Sequence, residues 1–237
     1  MYRSITALLL VALAAPAAVS AQEAPRPRNF SGGIGAIYGA PQGEFSDYVN
    51  NAWGLGGFFA WTPQSAPAFA LRLDAGFMNY GRETLRVPLS STIGGRIMVD
   101  VTTDNNIAYL GIGPQVMLPS GPIRPYANAA VGLSYFATTS SVRGDDSSQN
   151  FASDTNFDDA VFQWSLGGGV MIPVSRGRLP VSIDLGTRYH GNGEVTYVTE
   201  GGIIDNPDGS ITINAIESQA RVLTVHLGVA LGFGGYR

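Results

Sequence analysis

The chain has 237 residues, with 14 Lys+Arg against 18 Asp+Glu and a formal net charge of −4; every basic residue is arginine. Charged residues make up only 14%, well under the roughly 25% of a soluble globular domain, while 31 residues are glycine. No basic patch or charge run exists to attract nucleic acid, and the absence of cysteine excludes disulfides, thiolate nucleophiles and cysteine metal sites.

Residues 1–21 read as a secretory signal peptide. Arg3 supplies the positive start, Ile5 to Val19 is apolar, and Val19-Ser20-Ala21 offers small residues before a cut ahead of Gln22. The apolar run is interrupted by Pro16 and is short for a membrane span of about 20 residues. Residues 22–28, with Pro25 and Pro27, read as a short periplasmic lead-in, and 29–237 as one β-barrel domain.

Eight segments with period-two patterning follow, near 29–40, 51–62, 68–80, 105–118, 124–137, 161–173, 180–191 and 221–233. Each has the length of roughly ten residues that a tilted membrane strand needs. The links between them alternate. Pro63-Gln64-Ser65-Ala66-Pro67, Pro119-Ser120-Gly121-Pro122 and Ser175-Arg176-Gly177-Arg178 are tight turns, in which Pro presets φ and Gly permits positive φ. The others, 41–50, 81–104, 138–160 and 192–220, are longer and polar and read as loops. Short turns at one end and long loops at the other predict an all-β, eight-stranded antiparallel up-and-down barrel with both termini on the short-turn side.

Alternation alone does not separate a membrane barrel from a soluble one; the size of the residues on each face does. In the last segment Leu223, Val225, Leu227, Val229, Leu231 and Phe233 oppose Thr224, His226, Gly228, Ala230 and Gly232. In the third, Phe69, Leu71, Leu73, Ala75 and Phe77 oppose Arg72, Asp74 and Gly76. The interior of an eight-stranded barrel is narrow. The glycine-rich, charged face therefore fits inside, and the bulky face fits lipid. Aromatic spacing agrees: Trp53 and Trp61, like Phe69 and Phe77, stand eight positions apart on one face. That is about 26 Å along a strand and about 20 Å along the membrane normal, near the ~25 Å apolar band between aromatic girdles. Tyr135, Trp164, Tyr189 and Phe233 complete the expected girdles.

Pro41-Gln42-Gly43-Glu44-Phe45-Ser46, followed by Trp53-Gly54-Leu55-Gly56-Gly57, resembles the first loop and second strand of the small outer-membrane β-barrel family related to the OmpA membrane domain and to OmpX- and OmpW-like proteins. The resemblance covers 29–237, is mostly architectural, and implies residence in the bacterial outer membrane. It also implies that Leu227, Val229, Leu231 and Phe233 form the signal read by the barrel-assembly machinery. Family members usually end on that aromatic, whereas here Gly234, Gly235, Tyr236 and Arg237 follow it. No residues remain after the last strand for a peptidoglycan-binding domain, so that role is not expected.

Catalysis finds few parts. The only histidines are His190 and His226, and His190 is followed by Gly191-Asn192 rather than the His-x-Ser pair of lipid A deacylase barrels, so no enzyme is expected. Asp145, Asp146, Asp154, Asp158 and Asp159, with Asp205 and Asp208, lack the spacing of a calcium loop, so neither metal nor cofactor is expected. Arg72, Asp74, Gln115, Gln163, Asp184, Arg188 and His226 should point inward, where charges must pair. Arg72–Asp74 and Asp184–Arg188 are the expected pairs of a network that plugs the lumen. The expected role is a monomeric structural or surface-interaction barrel in contact with outer-membrane lipid and lipopolysaccharide. A narrow channel for small or hydrophobic solutes is the alternative, and a lipid A-modifying enzyme is a third reading.

Overall fold

Eight antiparallel strands close on themselves: β1 (Phe30–Gln42), β2 (Ala52–Trp61), β3 (Phe69–Pro88), β4 (Met98–Met117), β5 (Arg124–Gly144), β6 (Asn150–Ser175), β7 (Val181–Asp205) and β8 (Ile211–Phe233). Each strand pairs with the next in sequence, and β8 returns to β1 along a register from Phe30↔Phe233 to Gln42↔Arg221. This computed structural model describes residues 29–89, 97–144, 149–175, 179–206, 208 and 210–234. The expected signal peptide (1–21) and lead-in (22–28), Asp145, Asp146, the expected turn residues Arg176, Gly177 and Arg178, and Gly235, Tyr236 and Arg237 lie outside the described residues.

The tight turns form where Pro and Gly fall. Ala66 N donates to Pro63 O and Phe69 N to Ala66 O, folding β2 into β3 through two successive turns. Gly121 takes φ +121° between β4 and β5.

The expected loops 81–104, 138–160 and 192–220 are corrected: most of their length is strand. The ladder of β3 and β4 runs on from Gly81↔Asn105 to Pro88↔Met98, and that of β7 and β8 reaches Asp205↔Ile211. Polar cross-strand pairs help hold these extensions. Arg82 and Asp104 form a two-pronged bridge at 2.6 and 3.1 Å, Thr84 and Thr102 share a hydrogen bond at 3.0 Å, and Arg143 reaches Asp100 at 3.3 Å. At the tip of β7–β8, the Ser210 hydroxyl and amide donate to Asp208 at 2.6 and 3.0 Å, which holds that carboxyl below its usual range.

The first link (41–50) folds differently. Gly43, at φ +62°, turns the chain back over the barrel, and a four-residue helix, α1 (Phe45–Tyr48), follows. The Ser46 amide and hydroxyl both donate to Gly43 O, tightening this turn. Phe45 is thereby aimed into the barrel and is wholly buried.

The lower part of the wall has the two faces expected of it. Leu55, Leu133 and Leu227, about 60% exposed, belong to an outward apolar belt that runs around the strands, whereas Arg72, Asp74, Gln115, Asp184 and Arg188 are buried. Trp53, Trp61, Phe69, Phe77, Tyr135, Trp164 and Phe233 stand exposed on the belt. Tyr189 is half-buried, 5.6 Å from the Trp164 ring. Aromatic residues not anticipated from spacing join them: Phe30 stacks with both Phe59 and Phe233, and Tyr38 lies 4.6 Å from Trp53.

Candidate functional site

The lumen is the candidate site, and its lower layer is polar. Arg72 Nε donates to Asp74 Oδ1 at 2.8 Å, and its Nη1 donates to Gln115 Oε1 at 2.7 Å. Two positions apart on one strand face is about 7 Å, which an arginine side chain spans. The Arg72 guanidinium also lies 3.9 Å above the Phe58 ring.

The expected Asp184–Arg188 pair is replaced by a cross-barrel one. Arg188 Nη1 lies 2.8 Å from Asp74 Oδ2, so a single carboxylate bridges arginines from β3 and β7. Asp184 and Arg188 are four positions apart on one strand, about 13 Å, too far for a direct contact. Asp184 instead accepts the Tyr126 hydroxyl at 2.7 Å, and that hydroxyl lies 3.0 Å from His226 Nε2. Gln163 stands apart from the charges and accepts the Ser134 hydroxyl at 2.6 Å.

Tyr109 and Tyr126, which sequence reasoning missed, cross the lumen because glycines opposite them leave room. A Cβ on Gly76 would come within 2.5 Å of the Tyr109 ring, and one on Gly186 within 2.8 Å of the Tyr126 hydroxyl. The inward glycines were visible in the sequence; which ring each one faces depends on register. Between these groups a cavity of about 40 Å³, lined in part by Arg72, Asp74, Asp184, Arg188 and His226, is room for only a few waters.

The upper layer is aromatic. Phe45 packs edge-on against Tyr197 at 5.1 Å, Tyr80 at 5.7 Å and Phe136 at 6.3 Å. Tyr80 donates to Val198 O at 3.1 Å, and Tyr197 shares a hydrogen bond with Ser218 at 2.9 Å. Val49 and Val222 belong to the same buried cluster. Pro41 to Ser46 resembles the family's first loop, but the packing role of Phe45 depends on the rings of β3, β5 and β7, which no local pattern contains.

Neither histidine hydrogen-bonds a serine among the described residues. His190 Nε2 lies 3.3 Å from the Thr224 hydroxyl, and its ring packs 4.8 Å from Tyr109. Asp159 accepts the Thr196 amide at 2.9 Å and Asp154 the Thr155 amide at 2.9 Å. Among the described residues no cluster of three or more His, Cys, Asp or Glu could hold a metal ion.

No family model and no curated protein matches the chain. Among solved structures it is similar to Neisserial surface protein A, at 15% identity and TM-score 0.49 over 86% of this chain and 97% of that one. It is also similar to Ail, the attachment invasion locus protein of Yersinia pestis, at 13% identity and TM-score 0.47 over 86% and 97% of the two chains. The outer membrane protein OprG of Pseudomonas aeruginosa matches at 12% identity and TM-score 0.43 over 90% and 100%. What the chain shares with these proteins is a likeness of fold.

Proposed function

We propose that this protein is an integral barrel of the bacterial outer membrane with a closed lumen, acting as an anchor that raises three β-hairpins above the membrane surface. The observation that carries the reading is the mismatch between strand length and apolar belt. β7 has 25 residues, against 10 in β2. At about 3.3 Å per residue and a tilt near 40°, the longer strand rises about 60 Å, more than twice the ~25 Å apolar band of an outer-membrane barrel. The belt itself supports membrane residence, because a continuous ring of exposed Leu, Val, Phe and Trp is costly in water. The polar layer around Asp74 and the aromatic layer around Phe45 support closure.

On this reading the partners are outer-membrane lipid and lipopolysaccharide at the belt, with the barrel-assembly machinery engaged during biogenesis through Leu227, Val229, Leu231 and Phe233. The barrel is a monomer, and neither histidine has a catalytic role. Refolded protein should migrate differently before and after boiling and should leave a planar bilayer silent. Steady conductance steps would overturn the closed lumen in favour of a channel. Solubility in plain buffer without a mobility shift would overturn membrane residence.

A further inference from the structure

A second space lies at the mouth, above the Phe45 cluster. It is a polar groove of about 300 Å³, at the lower end of the volumes of small-molecule sites. One wall is the end of the first loop, with Tyr48, Asn50, Asn51 and Trp53; the others are the β3 and β7 extensions at Arg82 and Glu200.

Two irregularities shape it. The β3–β4 register shifts between Asn79 and Gly81, and the β7–β8 register breaks between Val198 and Ile203, leaving Thr199 and Glu200 outside the ladder. Such bulges re-aim side chains at barrel rims. The two walls are tied together before any ligand arrives: Gly201 N donates to Glu83 Oε2 at 3.0 Å, and Tyr80 to Val198 O at 3.1 Å. Pre-organisation of this kind lowers the ordering cost of binding.

The free groups define the ligand. Tyr48 is 52% exposed, offering an aromatic face for an apolar ring face, and Trp53, whose exposed side belongs to the outer belt, borders the groove. The exposed side chains of Asn50, Asn51 and Glu200 make no hydrogen bond among the described residues, so amide donors and acceptors and a carboxylate stand ready for hydroxyl groups. The cation of the groove is already engaged, since Arg82 bridges Asp104. With Glu200 in the lining and Glu83 and Asp104 beside it, carboxylates outnumber the one lining cation, and that balance disfavours an anion.

We propose that this groove binds a neutral saccharide, its pyranose ring stacked on Tyr48 and its hydroxyls held by Asn50, Asn51 and Glu200. The site rests on the barrel reading only for its surroundings: the sugars in reach would belong to the outer leaflet or to soluble glycans.

The test uses the full chain refolded in detergent, with the gel shift read first to establish the barrel. Neutral oligosaccharides of glucose, galactose and N-acetylglucosamine are then titrated, free and as lipid-linked forms in the same micelle, while tryptophan fluorescence is followed. Saturable binding to either form is expected, and the form that binds identifies the source. Asn50→Ala/Asn51→Ala and Glu200→Gln should each weaken it roughly tenfold or more without altering the gel shift. A shifted sample silent toward both forms would overturn the groove while leaving the barrel intact. So would binding untouched by the variants, or a preference for phosphorylated sugars. A sample without a shift would overturn the groove together with the barrel that builds it.

Discussion

The two layers of the lumen fill the same tube by opposite means. In the lower layer the strands themselves supply charges, and one carboxylate, Asp74, lies between Arg72 and Arg188. In the upper layer a loop residue, Phe45, completes a cluster of rings that the strands leave open. The lower layer depends on electrostatic pairing, which fails sharply when one member is lost. The upper depends on packing, whose loss scales with the volume removed. The difference teaches that filling a narrow barrel needs no single chemistry: charges pair in one layer and rings pack in the other.

The largest effect should come from Asp74→Ala, which strands two buried guanidinium groups; a destabilisation of about 3–5 kcal/mol is expected, read as a lowered urea midpoint of the refolded barrel. A loss below about 1 kcal/mol would show that water reaches those arginines and that the polar layer is not dry.

Phe45→Ala should cost about 3 kcal/mol and leave the charged layer intact. Bilayer recordings sharpen the comparison here. If both layers close the lumen independently, this variant stays silent; if it conducts, the aromatic layer alone is the barrier.

Gly76→Ala should cost about 1–3 kcal/mol, because the added methyl meets the Tyr109 ring and the wall cannot yield freely. Restoration by the double variant with Tyr109→Phe would not be expected, since the contact involves ring carbons as well as the hydroxyl. Tyr126→Phe removes the shared partner of Asp184 and His226 and should cost about 1–2 kcal/mol, read in the same urea titration. The smallest effect belongs to Arg82→Ala. Its side chain is 66% exposed, so its bridge to Asp104 should contribute under about 1 kcal/mol, and added salt should hide even that.

The lower barrel was legible because its determinants are local. Period-two alternation assigns each side chain to a face, and the sizes on the two faces say which one turns inward, so Arg72, Asp74, Asp184 and Arg188 could be placed inside from sequence alone. Pro63, Pro67, Pro119, Gly121 and Pro122 marked the tight turns by backbone preference. The tall hairpins were not legible, because polarity on both faces reads as loop. Thr84, Thr102, Arg82 and Asp104 became strand only by pairing across a ladder that the chain forms with itself.

Partner choice inside the lumen also belonged to the tertiary structure. Sequence spacing correctly related Arg72 to Asp74, two positions away on one face, but it suggested Asp184 for Arg188, where distance along a strand forbids contact. The true partner, Asp74, comes from another strand, brought close by closure and register. Phe45 follows the same logic: Gly43 permits the turn, but only the converging rings of Tyr80, Phe136 and Tyr197 make the lumen its place of burial. Faces and turns follow from the periodicity and φ preferences of the chain itself, whereas contacts across the barrel require its ends to meet.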